Sequence, residues 1–407
     1  MALTIFKEYF DNAYEEIFNK ILVGKDIANF RFEKSLEYGG TVARTVLDFS
    51  GVKLRNVVRT SGGSTTDYLS DSKEVLTVNI NKQVKVFIHD DDQKQKGPQE
   101  TSELCGKQLA AIVSEDLDAR ILYEAKNAYQ TFDAGDLTTM ASTGLGIALD
   151  ATTVPQMAAY MPAKLRRGAK QEVMTTRAFV VDSYAAGAIT LYLLGKATDT
   201  VQSVLQNGYA GDISNAELYI SENLTGEAVI TMSDDITDGD TISINGITFT
   251  FKTALTPTAG EVLLGANVAA TRVNLCALIN TPGTTTANGV ALSAANQALL
   301  TDTYRITATN SVANTNVTIV GIGSGRLTLT EAITHANDIW VVGKNIIHCY
   351  YGAKGAIDVV AQAGPGTLDI RQSGEDRGDN IFAYDIAGIK TFADGAKKFL
   401  DVKIKVS

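Results

Sequence analysis

Two neighbouring segments decide the fold: residues 74–89, EVLTVNINKQVKVFIH, and residues 98–128, which follow shortly afterwards. In the first, strict alternation at Val84, Val86 and Ile88 predicts a strand with one apolar face. In the second, apolar residues recur at helical spacing without an internal proline. This pattern predicts a helix about 40 Å long. A strand that leads into so long a helix indicates an extended framework rather than one ordinary core.

Upstream of this pair, the sequence predicts a protruding two-stranded arm. The strands TVARTVLDF (41–49) and VKLRNVV (52–58) lead outward, and residues 74–89 lead back. Between them, residues 59–73 are polar and have no apolar core of their own. Such an arm buries little by itself and usually gains stability by lying on another chain. The candidates for contacts between subunits in this arm are Arg59, Asp67 and Lys73.

Downstream, residues 137–223 predict a compact α/β unit. Residues 178–195, AFVVDSYAAGAITLYLLG, form the longest apolar stretch, but Asp182 interrupts it. The stretch therefore predicts a buried strand and a helix capped by Ser183 and ended by Gly195, not a membrane span.

The basic stretch AKLRRGAK, residues 163–170, belongs to the same unit. It has no aromatic residues interleaved for stacking on bases, which argues against a nucleic-acid site. A solvated face or a subunit contact is favoured, and Arg166 and Arg167 join the candidates for contacts between subunits.

Residues 226–341 differ in composition, because Thr and Ala dominate and only four of the chain's 36 Lys and Arg residues fall there. This shift predicts an inserted β-rich domain. Within it, DGDTISINGITFTF (238–251) predicts a β-hairpin with a type I′ turn at Asn245 and Gly246. The turn places Ile244 opposite Ile247, so one face of the hairpin is apolar. By the same register, Ile242 lies opposite Phe249.

No pattern in the sequence predicts a cofactor, a metal site or catalysis. The histidines His89, His335 and His348 are dispersed, and the three cysteines lie far apart without a CxxC, which favours a reducing compartment over disulfides. The acidic run at residues 90–92 lacks EF-hand spacing and is interpreted as charge near the start of the long helix. A metal-dependent hydrolase that uses this run is the minor alternative. The net charge of −10 argues against a protein whose main task is to neutralise phosphates.

In this order, the segments resemble the major capsid (coat) protein of tailed bacteriophages. The segments that carry the resemblance are YGGTVARTVLDF (38–49), VLTVNINKQVKVFIHDDDQKQKG (75–97), ETSELCGKQLAAIVSEDLDARIL (100–122), RAFVVDSYAAGAITLYLL (177–194), VLQNGYAGDISNAELYISENL (204–224), GAKGAIDVVAQ (352–362) and DNIFAYDIAGIKTF (379–392). The resemblance implies an α+β fold with an inserted domain. Its expected parts are an N-terminal helix and arm (1–38), an extended E-loop (39–89), a peripheral domain with the long spine helix (90–136), an axial domain in two parts (137–225 and 342–378), the insert (226–341) and C-terminal strands that return to the peripheral domain (379–407).

The resemblance also implies a function. The chain is expected to assemble with itself, as hexamers and pentamers, into an icosahedral shell that encloses the DNA genome. The shell would form in the cytoplasm of a host bacterium and become part of the virion. Scaffolding, portal and decoration proteins are candidate partners, packaged double-stranded DNA would lie nearby without specific binding, and no membrane is involved. The alternative hypothesis is a binding or adhesion protein in which residues 226–341 are the working module.

Overall fold

The computed structural model describes residues 23–30, 40–48, 70–89, 98–139, 141–169, 176–194, 212–213, 216–234, 236–311, 315–372 and 377–406. Arg59, Asp67, the acidic run at 90–92 and most of the predicted N-terminal helix and arm lie outside these ranges. The α+β class predicted from the sequence is confirmed, because the described chain combines helices with sheets in which most strand pairs are antiparallel.

The helices are α1 Gly24–Ile27, α2 Pro98–Tyr123, α3 Thr153–Ala169, α4 Ser183–Leu194, α5 Val268–Asn280, α6 Ala294–Ala298 and α7 Ala393–Ala396. Short 3₁₀ turns follow at Glu124–Asn127 and Ala134–Leu137, and a π turn occupies Leu299–Thr303. None of the helices within the described ranges has both the length and the apolar character needed to cross a membrane.

The strands are β1 Ala28–Asn29, β2 Thr41–Asp48, β3 Ser70–Thr77, β4 Ile80–His89, β5 Gln130–Phe132, β6 Arg177–Val181, β7 Asp212–Ile213, β8 Ala216–Ile220, β9 Thr225–Thr231, β10 Thr241–Ile244, β11 Ile247–Lys252, β12 Glu261–Leu263, β13 Ile306–Ser311, β14 Asn316–Gly321, β15 Leu329–Ala332, β16 Ile346–Ala353, β17 Ile357–Gln372, β18 Gly378–Lys390 and β19 Phe399–Lys405.

These strands form four sheets. The outer sheet has the order β1-β17-β18-β4, and the central sheet has the order β13-β14-β9-β16-β6-β8-β7, with β19 paired to β16 and β5. A small sheet of order β12-β11-β10-β15 lies within the insert, and β2 pairs with β3 alone as the arm hairpin.

The spine helix α2 packs on the outer sheet as the alternation in β4 predicts. In the register of β18 and β4, Ile381 lies opposite Val86 and Ala383 opposite Val84. These side chains share a buried cluster with Leu109 and other residues of α2. The period of two in the strand and the helical stripe in α2 are therefore two sides of one interface.

The central sheet forms the main core. All eight residues of β16 and all five of β6 are buried, so both strands are covered on both faces rather than on one. The helix after β6 begins at Ser183 as predicted, but Ser183 is not its cap. Asp182 fills that role, because its Oδ1 accepts a hydrogen bond from the backbone N–H of Ala185 at 3.0 Å.

The hairpin predicted inside the insert is confirmed in detail. Asn245 and Gly246 have positive φ angles of 49° and 81°, as a type I′ turn requires. Ile244 lies opposite Ile247, and the neighbouring pair also follows the predicted register. The insert is nevertheless continuous with the central sheet, because its strand β9 pairs with both β14 and β16.

Candidate assembly surfaces

The arm hairpin is fixed to the body of the protein at its root. Leu76 of β3 is fully buried and clusters with Val360 and Phe392. The arm also approaches the outer sheet closely, since a Cβ at Gly388 would lie 2.6 Å from the carbonyl oxygen of Thr77. A small apolar contact and a close backbone approach therefore hold this end of the arm.

Polar contacts reinforce the root. Arg44 Nη1 donates to Asp394 Oδ1 at 3.0 Å, and its guanidinium lies 5.3 Å from the centre of the Phe392 ring. Lys390 Nζ donates to the carbonyl oxygen of Val75 at 2.7 Å. Burial alone would raise the pKa of Asp394, but the hydrogen bonds and charge of Arg44 lower it, so the carboxylate stays ionised.

The opposite face of the arm hairpin is exposed. Its side chains alternate with the docked ones and face each other in the register of β2 and β3. The exposed positions are Thr41, Ala43 and Thr45 on β2 and Lys73, Val75 and Thr77 on β3. Lys73, a predicted contact residue, thus lies on the outer face of the arm, directly opposite Thr45.

Arg166 and Arg167 are also exposed, in the last turn of α3. Positive charge is favourable there because the carbonyl end of a helix carries partial negative charge. Their neighbour Lys164 does not share this exposure, since it forms an ion pair with the buried carboxylate of Asp136. The described contact candidates therefore lie on two separate elements, the arm hairpin and α3.

Helix α4 presents apolar side chains to the surface that the sequence did not identify as contact candidates. Tyr184 is 58% exposed and Leu191 is 71% exposed. The two are seven residues apart, so they lie on nearly the same side of the helix. Ile220, at the end of β8, is also exposed. Exposed apolar groups that lie close together are typical of protein interaction sites.

The insert is joined to the central sheet by a buried ionic network. His348 on β16 lies with Nδ1 2.9 Å from Asp401 Oδ1 on β19, and its Nε2 lies 3.4 Å from Glu227 Oε2 on β9. The second distance is within ion-pair range but longer than a good hydrogen bond. Lys126, just after the spine helix, completes the network at 2.5 Å from the same Glu227 oxygen.

The ionisation of this network follows from its neighbours. Burial would lower the pKa of His348, but Asp401 and Glu227 outweigh burial and raise it. Burial would likewise raise the pKa of Glu227, but His348 and Lys126 lower it well below its usual value. The network therefore contains an imidazolium between two carboxylates, and it connects the first strand of the insert to the core.

A second ionic contact holds the insert at Arg326. Arg326, which follows β14, pairs with Asp182, and its Nη2 lies 3.3 Å from Asp182 Oδ1. The guanidinium also lies 4.3 Å from the centre of the Tyr184 ring. The insert is thus tied at Glu227 and at Arg326 to the unit that contains α4.

The His348–Asp401 pair has the geometry of an acid–base dyad, but it is closed to substrates. The His348 side chain is only 1% exposed, and its second nitrogen faces Glu227 rather than a cavity. Within the described ranges, no group of three or more His, Cys, Asp or Glu side chains is arranged to hold a metal ion.

No family model matches the chain, and no curated protein does. Solved structures do match. The chain is similar to one from Mycobacterium phage Che8, with a TM-score of 0.46 and 12% identity, covering 93% of this chain and 90% of the other. It is similar to the capsid structure of cyanophage P-SCSP1u, with a TM-score of 0.44 and 11% identity, covering 95% and 89%. It is also similar to the mature capsid of bacteriophage PhiM1, with a TM-score of 0.43 and 10% identity, covering 91% and 83%.

The second and third of these structures are capsids, the class of protein that the sequence resembles. At TM-scores below 0.5 and such low identity, the matches carry no argument by themselves.

Proposed function

We propose that this chain is the structural subunit of the icosahedral shell of a tailed bacteriophage, and that it assembles with copies of itself around the DNA genome. The observation that carries the proposal is the arm hairpin. Its root is anchored by Leu76 and Arg44, while its outer face is exposed along both strands. An element of this kind is suited to lie on a neighbouring subunit.

The energetics of the arm support this role. A two-stranded hairpin is marginally stable in water without further strands or a helix beside it. Here Leu76 is the one fully buried side chain at positions 41–45 and 73–77 of the hairpin, for which burial is described. Contact with another copy would supply the burial that the chain itself does not.

The remaining parts fit a subunit with repeated contacts. The proposed division keeps the E-loop at 39–89, the peripheral domain at 90–136, the axial domain at 137–225 and 342–378, the insert at 226–341 and the C-terminal strands at 379–407. In this arrangement Tyr184 and Leu191 would contact a neighbour in the axial region, and Lys73, Arg166 and Arg167 would contribute polar contacts. Head-to-tail contacts of this kind close into rings when the rotation between subunits allows it.

The net charge of the chain suits a shell that encloses DNA without binding it tightly. With a net charge of −10, the subunit repels a polyanion in bulk, which favours packaged DNA that lies nearby without specific binding. Scaffolding, portal and decoration proteins remain proposed partners, and the virion capsid, assembled in the host cytoplasm, remains the proposed location. The proposed role is structural and not enzymatic.

The insert is built into the rest of the subunit and does not have the form of an independent adhesion module. Its strand β9 extends the central sheet, and Glu227 and Arg326 tie it to buried partners at two points. A binding module that works alone would not need such a joint, so the adhesion alternative has no observation in its favour.

The proposal is tested by expressing the full chain and examining it by sedimentation velocity and negative-stain electron microscopy. Rings or closed shells are expected. The double variant Ala43→Glu, Thr45→Glu places two charges on the exposed face of the arm, and it should abolish assembly while the melting temperature of the monomer stays within about 2 °C, as for surface substitutions. The matched control Ala287→Glu, at an exposed position of the insert, should still assemble. Compact monomers at all concentrations, with or without a scaffolding partner, would overturn the proposal.

A further inference from the structure

A cleft lies where the spine helix, the outer sheet and the insert meet. Its volume is about 250 Å³. This is below the roughly 300–1,000 Å³ of pockets that enclose drug-sized ligands, so it fits a small or narrow group. The residues that line this junction cleft are Lys82, Gln83, Val84 and Asp385 of the outer sheet, Ile112, Val113 and Asp116 of α2, and Thr301, Asp302 and Arg305 of the insert.

Asp385 is the unusual member of this set. It lies on β18 at a position that faces α2, in alternation with the apolar residues Ile381, Ala383 and Ala387. Its side chain is 1% exposed, and neither carboxylate oxygen has a hydrogen-bond partner among the described residues. A buried polar group without a partner is costly, and a bound water or ion is one of the explanations for it.

The charged groups that face Asp385 are either paired with other residues or exposed. Asp116 on α2 is held by Arg120 Nε at 2.7 Å and by Arg305 Nε at 2.8 Å. From the outer sheet, Lys82 lies directly opposite Asp385 in the register, but it is exposed. From the insert, Asp302 lines the cleft and is also exposed, so no described cation is paired with the buried carboxyl.

Burial, and then the charge of Asp116, raise the pKa of Asp385 to about 7, although Arg120 opposes them. The carboxyl is therefore mostly protonated below neutral pH in the empty cleft. A cation that binds beside it would favour the ionised form and release the proton.

The shape and chemistry of the cleft favour an organic cation over a metal ion. Metal ions need several oxygen, nitrogen or sulfur ligands, and the described residues hold no group of three acidic, His or Cys side chains suited to one. One wall of the cleft is apolar, formed by Val84, Ile112 and Val113. An ammonium group carries three donors, which matches a carboxylate with two free oxygens, and an attached alkyl chain would lie along the apolar wall.

We propose that the junction cleft binds the primary ammonium group of a small aliphatic diamine or polyamine, with the ammonium on Asp385 and the methylene chain against Ile112 and Val113. The ligand would contact the outer sheet, the spine helix and the insert together. It would therefore stabilise the docked position of the insert, since a ligand that binds only the folded arrangement shifts the equilibrium towards it. The inference does not depend on shell assembly.

The test is isothermal titration calorimetry of the full chain with 1,4-diaminobutane at pH 6 and pH 8. Binding is expected at pH 8, and it should be about tenfold weaker at pH 6 because the carboxyl must lose a proton first. Titrations at pH 6 in two buffers of different ionisation enthalpy should reveal the released proton.

Two variants locate the site. Asp385→Asn should weaken binding at least tenfold. The control Glu115→Gln removes an exposed carboxylate from α2, the helix that lines the cleft, and it should leave binding unchanged. Ile112→Trp fills the mouth of the cleft from a position that is 52% exposed, and it should also weaken binding while Asp385 stays intact. This second variant keeps the test informative if Asp385→Asn folds poorly.

The proposal is overturned by any of three results. These are equal affinity of wild type and Asp385→Asn for the diamine, affinity that does not change between pH 6 and pH 8, or binding of Mg²⁺ or Ca²⁺ to the cleft with no binding of the diamine.

Discussion

The chain contains two antiparallel hairpins that use burial in opposite ways. In the insert, the hairpin of β10 and β11 buries every side chain of one face: Ile242, Ile244, Ile247, Phe249 and Phe251. In the arm, β2 and β3 are longer, but Leu76 is the one fully buried side chain at positions 41–45 and 73–77, where burial is described. The first hairpin is completed by its own domain, and the second keeps an exposed face.

The two hairpins obtain their stability from different sources. About 25 cal/mol is gained per Å² of apolar surface removed from water, so a face that is covered within the chain stabilises the monomer. A face that is covered only by a neighbour stabilises the assembly. Substitutions in the insert hairpin should therefore lower monomer stability at any protein concentration. Substitutions in the arm should act mainly through assembly.

The largest expected effect comes from Phe249→Ala. Phe249 is fully buried in the core of the insert, and removing such a ring leaves a cavity, which costs about 3–5 kcal/mol in the free energy of unfolding. Urea denaturation of the monomer should show this loss independently of protein concentration. Hydrogen exchange should place the increased opening in residues 225–341.

The control is Phe87→Ala, because Phe87 on β4 is 40% exposed. This change should cost less than about 1 kcal/mol. Equal losses for the two variants would mean that the insert has no tightly packed core, and the contrast between the two hairpins would fail.

The second effect concerns the ionic joint between the insert and the central sheet. His348→Gln leaves the buried carboxylate of Asp401 without its cation, and breaking such a pair costs about 3 kcal/mol. His335→Gln, at an exposed site, is the matched control and should change stability by less than about 0.5 kcal/mol.

The ionic contacts of His348 also predict that the stability of the protein depends on pH. The pKa of His348 is raised above its usual 6.5, so the folded state holds this proton more tightly than the unfolded state. The resulting stability is fully present below pH 6.5 and is lost as the pH rises through the raised pKa. Chemical denaturation between pH 6 and pH 9 should show this decline in wild type and a flatter profile in His348→Gln.

Asp385 acts in the same direction, because its raised pKa also means that the folded state holds an extra proton. The pH series is therefore measured in an Asp385→Asn background, and the difference made by adding His348→Gln gives the contribution of His348. If adding His348→Gln to this background leaves the slope of the free energy of unfolding against pH unchanged, a charged His348 in the folded state is contradicted.

The third prediction tests the arm directly with two neighbouring residues. Leu76→Ala removes the buried anchor and should cost about 2 kcal/mol, the low end for Leu to Ala because the cluster around it is small. Val75→Ala, on the exposed face of the same strand, should leave the monomer unchanged but weaken assembly in sedimentation experiments. Assembly as strong as wild type in Val75→Ala would exclude this face from the subunit contact.

Much of this contrast was accessible from the sequence, because it depends on local patterns. The Asn245 and Gly246 turn gives the register of the insert hairpin, and the alternation at Val84, Val86 and Ile88 identifies the face of β4 that packs on α2. In both cases the deciding residues lie within a few positions of each other, where backbone geometry alone determines which side chains meet.

The ionic contacts that join the insert to the central sheet could not be predicted from local patterns. His348 meets Asp401 and Glu227 only because β16 pairs with β19 on one side and with β9 on the other. Such pairings join residues more than 50 positions apart, and an isolated histidine in an apolar strand was the only local signal. Asp385 gave a similarly weak signal in the sequence, because it is a single carboxylate in an otherwise apolar alternation.

The smallest predicted effect concerns the turn that closes the insert hairpin. Gly246 has a φ of 81° and open space around its Cα, so Gly246→Ala meets no atom, but it places an L-residue in the left-handed region. The expected cost is about 1 kcal/mol. Gly187→Ala is the matched control, because Gly187 is equally open but lies inside α4, where alanine should instead add about 0.5–1 kcal/mol of stability. Thermal melts of the two variants should therefore shift in opposite directions. If both melts move the same way, the positive φ of the turn is not what limits the hairpin, and its stability comes from the buried face alone.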